Sequence, residues 1–387
     1  MPADRYIDTA EALQELCKTL AESDWLCLDT EFIREKTYYP RLCLVQVATA
    51  DVVACIDPLV IEDLSPLSTL LHDAGITKVM HAASQDMEIF YYLNGRLPAP
   101  IFDTQVAAAL MGLGDQVGYG RLVEDMLQVS LDKSHSRTDW SQRPLHDEQI
   151  RYAADDVRYL RDIYHQQRQW LIEHDRLEWL DADFESLCNP ERYRPAPDQA
   201  WLRVKGFQRL KPEQLMVLKE LAGWREQKAM DSDRPKRWVL KDEVLLDLAR
   251  RMPQKLEDLS RIRGLEAGQI RNSGDVILQH IRQARQIPRE EWPKLPKRTS
   301  LNPNQDTMAD LLMASLRLSG IEASISAQAI ASRKEVEQLV AGERDLNLLQ
   351  GWRLELAGRA MLDILEGRST LIVDQDKVAR ISTALTE

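Results

Sequence analysis

The sequence predicts an α/β domain, with a mixed sheet flanked by helices, followed by two small all-helical domains. Within residues 1–190, short β-branched and aliphatic runs come first and helical periodicity follows. Beyond residue 200 the apolar residues recur at helical spacing only. Proline-rich stretches at 189–198 and 288–303 interrupt regular structure between these regions. We therefore expect domains at 1–190, 205–287 and 304–380.

The elements of the first domain follow from local patterns. They are a helix at Thr9–Ala21, a strand at Trp25–Asp29, a hairpin of Leu42–Ala48 and Val52–Ile56, and a strand at Lys78–His81 leading into a helix through Glu88–Leu93. From Asp103 onward the pattern is helical. Strands first, one strand between helices and then helices alone favour a mixed sheet over a strictly alternating parallel one.

The region after residue 205 contains repeated helical patterns. Apolar residues recur every three to four positions in Pro212–Gln227, Lys241–Arg250 and Asp275–Ala284. Val239–Ala249 aligns with Ile330–Val340 with the same apolar spacing. We interpret this region as a duplicated helical module of about 80 residues.

The composition is that of an ordinary soluble chain. It has 387 residues, 44% hydrophobic and 29% charged, which excludes disordered and collagen-like classes. No apolar run has the length of a membrane span, and the first residues lack a secretion signal, so we expect a cytoplasmic monomer without membrane contact. The five cysteines form no CxxC pair, which indicates reduced thiols instead of a zinc site.

The charge is distributed unevenly along the chain. The net charge is −12 overall, but residues 1–200 carry 18 Lys/Arg and 35 Asp/Glu, giving −17. Residues 201–300 carry 23 Lys/Arg and 14 Asp/Glu, giving +9. The asymmetry suggests that the first part holds cations and the middle part holds phosphates.

Asp29 and Glu31 end the first predicted strand. Residues i and i+2 of a strand share a face, so both carboxylates point to the same side. Like charges this close repel unless a cation lies between them, and Mg²⁺ or Mn²⁺ is a suitable cation for oxygen ligands. A solvated strand end is the alternative.

A second acidic position, Asp86, follows the predicted strand at Lys78–His81. If Ser84 caps the next helix, Asp86 lies in its first turn, where the helix dipole favours a carboxylate with or without a metal. His81 is either a contact to substrate or a histidine satisfied within the fold.

Tyr152 and Asp156 lie four residues apart in a helical pattern, so they share one helix face. A phenol placed over a carboxylate can orient a water at that carboxylate's metal. Asp155 is rotated by about 100° and points elsewhere. An ordinary amphipathic helix with an exposed acidic pair is the alternative.

Taken together, these motifs resemble the DEDD exonucleases of the ribonuclease H-like fold, in the subclass with tyrosine in the last motif, and more narrowly the bacterial ribonuclease D family. The matching segments are Asp29–Phe32, Arg41–Gln46, His81–Asp86, Phe102–Gln105, Asp139–Leu145 and Tyr152–Asp156. The two helical modules are similar to the HRDC domains of that family. The resemblance covers the first domain nearly throughout.

The resemblance implies a catalytic site and a reaction. Asp29, Glu31, Asp86 and Asp156 would hold two divalent cations, Mg²⁺ or Mn²⁺, and Tyr152 would orient the attacking water. The reaction would be 3′–5′ hydrolysis of RNA with a single-stranded 3′ end, releasing nucleoside 5′-monophosphates. Precursor tRNA and other small stable RNAs are the substrates that the family suggests.

The basic middle segment contains an aromatic-basic pattern suited to RNA. Its candidate contacts, together with His81, are Trp224, Arg225, Lys236, Arg237 and Trp238. The third domain is acidic and lacks the pattern. A DNA-directed 3′–5′ exonuclease and a non-catalytic RNA-binding protein remain alternatives, whereas a helicase is disfavoured because no GxxxxGK[ST] loop is present.

Overall fold

A mixed six-stranded sheet forms the centre of the N-terminal part of the molecule. The computed structural model describes residues 4–132, 138–295 and 301–383; the predicted linker's residues 296–300 lie outside this description. The strands are β1 Asp4–Ile7, β2 Trp25–Ile33, β3 Arg41–Ala48, β4 Val53–Ile56, β5 Thr77–Met80 and β6 Ile101–Asp103. They lie in the order β1-β4-β3-β2-β5-β6.

The strand directions confirm the predicted mixed sheet. β3 and β4 pair antiparallel, with Val45 opposite Ile56, as the predicted hairpin requires. β1 pairs parallel with β4, and β5 pairs parallel with both β2 and β6. The sequence patterns did not predict β1 and β6, because strands of four and three residues are too short to show a period.

Eight helices accompany the sheet in the described part of residues 4–192. They are α1 Ala10–Leu20, α2 Ser65–Leu71, α3 Ser84–Asn94, α4 Thr104–Leu110, α5 Tyr119–Leu127, α6 Asp147–Arg158, α7 Leu160–Glu173 and α8 Asp181–Leu187. α6 packs on β1 and β4, and α7 packs on β5 and on helices α4, α5 and α6. The sheet and these helices together position the residues at the strand ends.

The chain divides into two units, of which one contains residues 1–31, 42–192 and 298–387 and the other contains residues 32–41 and 193–297. The second unit has its own hydrophobic core, which includes Leu218, Leu221 and Ile277. Its helices are α9 Pro212–Asp231, α10 Lys236–Val239, α11 Asp242–Arg251, α12 Leu256–Leu259 and α13 Ala267–Gln286.

The C-terminal residues belong to the same unit as the sheet. Their helices are α14 Pro303–Ala323, α15 Ala327–Ile330, α16 Arg333–Val340, α17 Gly351–Arg353 and α18 Arg359–Leu365, with a π-helical turn at Leu354–Gly358. The rings of Trp352 and Trp179 stack with centroids 4.8 Å apart, and the Arg353 guanidinium lies 3.0 Å from the Asp183 carboxylate. These contacts attach the C-terminal helices to the end of the α/β region.

The C-terminal region is not all-helical, and this corrects the prediction. Ser369–Asp374 forms β7 and Lys377–Ser382 forms β8, paired as an antiparallel hairpin. The segment is rich in β-branched residues, and Gln375 takes a left-handed conformation with φ 58° in the turn. In the sequence, the helical spacing of the preceding helix continues into this segment and hides the strand pattern.

None of the helices in the described ranges has the length and apolar character needed to cross a membrane.

Candidate active site

The first two acidic residues lie within β2, which continues to Ile33, so the predicted end of this strand at Asp29 is wrong. The run Trp25–Leu28 is fully buried in the sheet, and the strand becomes half-buried at Asp29 and Glu31. Thr30, between them, is buried, and its hydroxyl donates a hydrogen bond to Asp86 Oδ1. The middle residue of the motif thus connects the strand to the helix that carries the third carboxylate.

Asp86 lies in the first turn of α3 and is 7% exposed. The expected cap by Ser84 is wrong, because α3 begins at Ser84 and has no side-chain cap. The turn is held instead by Asp103 at the end of β6, whose carboxylate accepts from Ala82 N at 3.0 Å and Ala83 N at 2.9 Å. These bonds stabilise Ala82 at φ 55°, a conformation that is costly for a residue with a Cβ.

Tyr152 and Asp156 lie on α6, as predicted, and both are half-buried. Asp155 is directed to a different partner, because its Oδ1 accepts from Arg158 Nε at 2.8 Å. The Tyr119 hydroxyl donates to the Asp155 backbone oxygen at 2.9 Å. Asp155 therefore has a structural role, and Asp156 is the residue of the pair that interacts electrostatically with β2.

The four carboxylates form one electrostatic cluster around Asp29. Burial, followed by the charges of Asp86, Asp156 and Glu31, raises the pKa of Asp29 well above its ordinary value. Burial and the charges of Asp156 and Asp86 raise the pKa of Glu31 to about 8. The pKa of Asp86 is raised to about 7, mainly by burial, even though the Thr30 hydrogen bond opposes the shift.

Asp156 completes the cluster with a pKa raised to about 7, by burial and then by the charge of Asp155. Such shifts mark a place where negative charge is concentrated and poorly solvated. Hard divalent cations bind carboxylate oxygens and relieve this repulsion, so the chemistry of the donor set fits Mg²⁺ or Mn²⁺.

Among the described residues, no group of three or more His, Cys, Asp or Glu side chains is placed to hold a metal ion. Like charges repel one another when no cation lies between them, and carboxylate side chains can rotate toward a cation when one binds. The number of bound ions stays a prediction.

Comparison with known proteins decides the family. The family model of the 3′–5′ exonuclease domain matches residues 5–171, and that of the HRDC domain matches residues 214–281. The chain is 41% identical to Ribonuclease D of Sphingobium indicum over 382 residues, which is 97% of this chain and 98% of the relative. The chain belongs to the ribonuclease D family. Identity to Ribonuclease D of Gluconacetobacter diazotrophicus is 40% over 98% of this chain and 97% of that one.

The ribonuclease D architecture extends over nearly the whole molecule. The crystal structure of Escherichia coli RNase D, described as an exoribonuclease involved in structured RNA processing, matches with a TM-score of 0.82 and 35% identity. The match covers 94% of this chain and 99% of that one. The predicted α/β exonuclease domain followed by a helical region with an HRDC domain is thereby confirmed, and so is the predicted enzyme class, an exoribonuclease.

His81 is enclosed within this ribonuclease D fold. Its Nδ1 lies 2.9 Å from Thr104 Oγ1 and its Nε2 lies 3.0 Å from the Val117 backbone oxygen, while its ring packs against Tyr119. Burial lowers its pKa. Because both ring nitrogens already have partners, the contacts favour a His81 that is satisfied within the fold over a His81 that contacts RNA.

The predicted RNA contacts of the basic segment differ in exposure. Arg225 is 1% exposed, and its guanidinium bonds to Asp242 at 2.7 Å and to the Leu240 backbone oxygen at 3.0 Å, so it is a core residue and not a surface contact. Trp224 is half-buried against the core of its unit. A surface contact to RNA is therefore not supported for these two residues.

The other three candidates lie on the short helix α10. Trp238 is 58% exposed and Arg237 is exposed, whereas Lys236 is half-buried with its Nζ 3.7 Å from Glu226 Oε2. An exposed tryptophan beside a cation is suited to stacking a base and pairing a phosphate.

Sequence reasoning did not identify the residues that orient the acidic cluster. The Thr30 hydroxyl donates to Asp86, the Asp103 carboxylate accepts from the Ala83 backbone just before α3, and the Tyr119 hydroxyl donates to the Asp155 backbone oxygen. Thr30 could have been suspected because it lies inside the DxE motif. The partners of Asp103 and Tyr119 carry no local sequence signal.

Proposed function

We propose that this ribonuclease D family member hydrolyses RNA one nucleotide at a time from a single-stranded 3′ end and releases nucleoside 5′-monophosphates. The observation that carries the proposal is the cluster of Asp29, Glu31, Asp86 and Asp156, which come from three separate elements. The charges of the other three raise the pKa of Asp29, and those of Asp86 and Asp156 raise the pKa of Glu31. The family match to exoribonucleases supports RNA as the substrate.

The four carboxylates are proposed to hold two divalent cations. Asp29, Glu31 and Asp156 form one ligand set, and Asp29 with Asp86 forms the other. When bound, the cations would neutralise charge at the scissile phosphate and lower the pKa of the attacking water.

Tyr152 acts on the water in this proposal. Burial, and then the charge of Asp156, raises the pKa of Tyr152 to about 12, so the phenol stays protonated at neutral pH. A neutral phenol can hold a water by hydrogen bonds without itself being a base. Glu31 and Tyr152 together would aim the water opposite the leaving 3′ oxygen.

The physiological substrate is proposed to be a small stable RNA such as precursor tRNA. The test uses 5′-labelled RNA and DNA oligomers of the same sequence, and a tRNA extended at its 3′ end. We expect one-nucleotide shortening of the RNA in Mg²⁺, no shortening in chelator, and trimming of the extension. Faster digestion of DNA would favour the DNA exonuclease, and intact RNA in Mg²⁺ would favour the non-catalytic alternative.

The surface around Trp238 is proposed to bind the body of the RNA. Replacing Trp238 with alanine should weaken RNA binding by roughly tenfold, because stacking on one base contributes about 1–3 kcal/mol. Titration with fluorescent single-stranded RNA measures the effect. Arg237→Ala should lower the slope of log K against log salt by about one unit.

The matched control is Leu256→Ala, which removes another exposed apolar side chain from the same unit. Its RNA affinity should stay at the wild-type value. Equal losses in Trp238→Ala and Leu256→Ala would contradict a specific stacking contact.

A further inference from the structure

The segment Asp139–Leu145 is fixed by one arginine. Arg143 Nε and Nη2 donate to the two carboxylate oxygens of Asp57 at 2.5 and 2.8 Å. Nη2 also donates to the Cys43 backbone oxygen at 2.7 Å. Nη1 donates to the backbone oxygens of Trp140 at 2.8 Å and Gln142 at 2.7 Å. All five N–H groups of the guanidinium are used, and they join the segment to the sheet.

Asp57, which accepts two of these hydrogen bonds, also has further partners. The Asp57 side chain is 0% exposed and follows β4 directly. It also accepts from the Tyr6 hydroxyl and from Leu59 N at 2.9 Å. Although burial acts to raise the pKa of Asp57, the hydrogen bonds from Arg143 and Tyr6 lower it overall. The pair is therefore ionised and fixed in the folded protein.

The segment held by Arg143 places the ring of Trp140 beside Tyr152. Trp140 is 3% exposed, and its ring lies 6.2 Å from the Tyr152 ring, centroid to centroid, at 30°. On the other side of Trp140, the Asp139 carboxylate accepts from Ser141 N at 3.1 Å and from Gln142 Nε2 at 3.0 Å. The backbone around Trp140 is thus held from both directions.

We propose that Arg143 and Trp140 are positioning residues that set the place of the Tyr152 phenol. The inference rests on the proposed role of Tyr152 in orienting water. Tyr152 projects from a helix, where its χ1 can take more than one staggered value, and the Trp140 ring restricts it to one region. Arg143 acts through Trp140, because two of its hydrogen bonds set the backbone that carries this ring.

A double-mutant cycle tests the inference. Trp140→Phe, Arg143→Lys and Tyr152→Phe are each measured alone, and the first two are also each combined with Tyr152→Phe. Phenylalanine leaves a gap beside Tyr152, and lysine keeps the charge but loses the two-pronged contact. Steady-state rates on a short RNA give kcat and KM, and their Mg²⁺ dependence gives the metal affinity. Arg121→Lys, an exposed arginine on α5, is the matched control.

We expect Trp140→Phe and Arg143→Lys each to lower kcat by roughly tenfold, because a misplaced group loses most of its effect. KM and the Mg²⁺ dependence should stay unchanged, as should all values for Arg121→Lys. In the Tyr152→Phe background the same changes should lower kcat less than twofold, because the phenol they position is absent. A purely structural role would give the same loss in both backgrounds.

Three outcomes would overturn the inference. One is a wild-type kcat in Trp140→Phe, and another is an equal loss of kcat with and without the Tyr152 hydroxyl. If Tyr152→Phe alone keeps the wild-type kcat, the proposed role of Tyr152 fails together with the inference. If circular dichroism shows that Arg143→Lys does not fold, Trp140→Phe decides the result.

Discussion

Asp156→Asn is expected to lower kcat for RNA hydrolysis by about 10³-fold or more while leaving the fold intact. The amide keeps the size of the side chain and removes the negative charge that the proposed cations require. Loss of one such electrostatic element at a reaction centre costs several kcal/mol of transition-state stabilisation. Rates on a short single-stranded RNA measure the loss, and circular dichroism checks the fold. Asp29→Asn should behave in the same way.

The neighbouring residue supplies a matched control. Asp155→Asn removes the same charge from the same helix, but its carboxylate forms an ion pair with Arg158 and acts on the cluster only through its charge, which raises the pKa of Asp156. We expect near wild-type kcat and a loss of at most about 1 kcal/mol in unfolding free energy, as for a partly exposed ion pair. Similar damage by both substitutions would show that the face of α6 has been assigned incorrectly.

The acidic residues could be predicted because each lies on an element with a strong local signal. Asp29 and Glu31 come after the fully buried run Trp25–Leu28 within β2, and the period of α6 places Tyr152 and Asp156 on one face. The order of these elements along the chain then supports a common site. Convergence in space is an inference from resemblance, and it is supported by the charges of Asp86 and Asp156, which raise the pKa values of both Asp29 and Glu31.

Contacts between distant segments could not be predicted in this way. The sequence places Arg225 in a basic stretch, yet its side chain is buried in the core, where Nη1 donates to Asp242 and to the Leu240 carbonyl. Arg143 and Asp57 are 86 positions apart in the sequence, and neither has a periodicity that reveals the partner. The pattern of charged residues in a sequence indicates where bound ions can lie, but it does not show which charged side chains are already paired with each other.

The C-terminal helices contact the α/β region, so a deletion of the helical modules does not test RNA binding alone. Removing residues 201–387 would delete the RNA-binding candidates together with Trp352 and Arg353, which contact Trp179 and Asp183. A loss of activity in such a truncation would therefore combine weaker RNA binding with damage to the α/β region. Point substitutions such as Trp238→Ala separate the two effects.

The raised pKa values also predict how pH acts on the metal-free protein. Folding raises the pKa of Glu31 to about 8 and those of Asp86 and Asp156 to about 7, above ordinary values of 4.5 and 3.8. The folded state therefore binds these protons more tightly than the unfolded state. The resulting stability is fully present below the ordinary values and is lost as pH rises through about 7 to 8.

In chelator, we expect the Tm to fall by about 4 °C or more between pH 5.5 and 8.5. Divalent cations bind the deprotonated carboxylates, so Mg²⁺ should raise the Tm more at pH 8.5 than at pH 5.5. Glu31→Gln should reduce both effects, whereas Glu35→Gln, a change at an exposed position, should leave them unchanged. A Mg²⁺-induced shift that is equal at the two pH values would contradict the cluster, because a site without buried, protonated carboxylates has no protons to release.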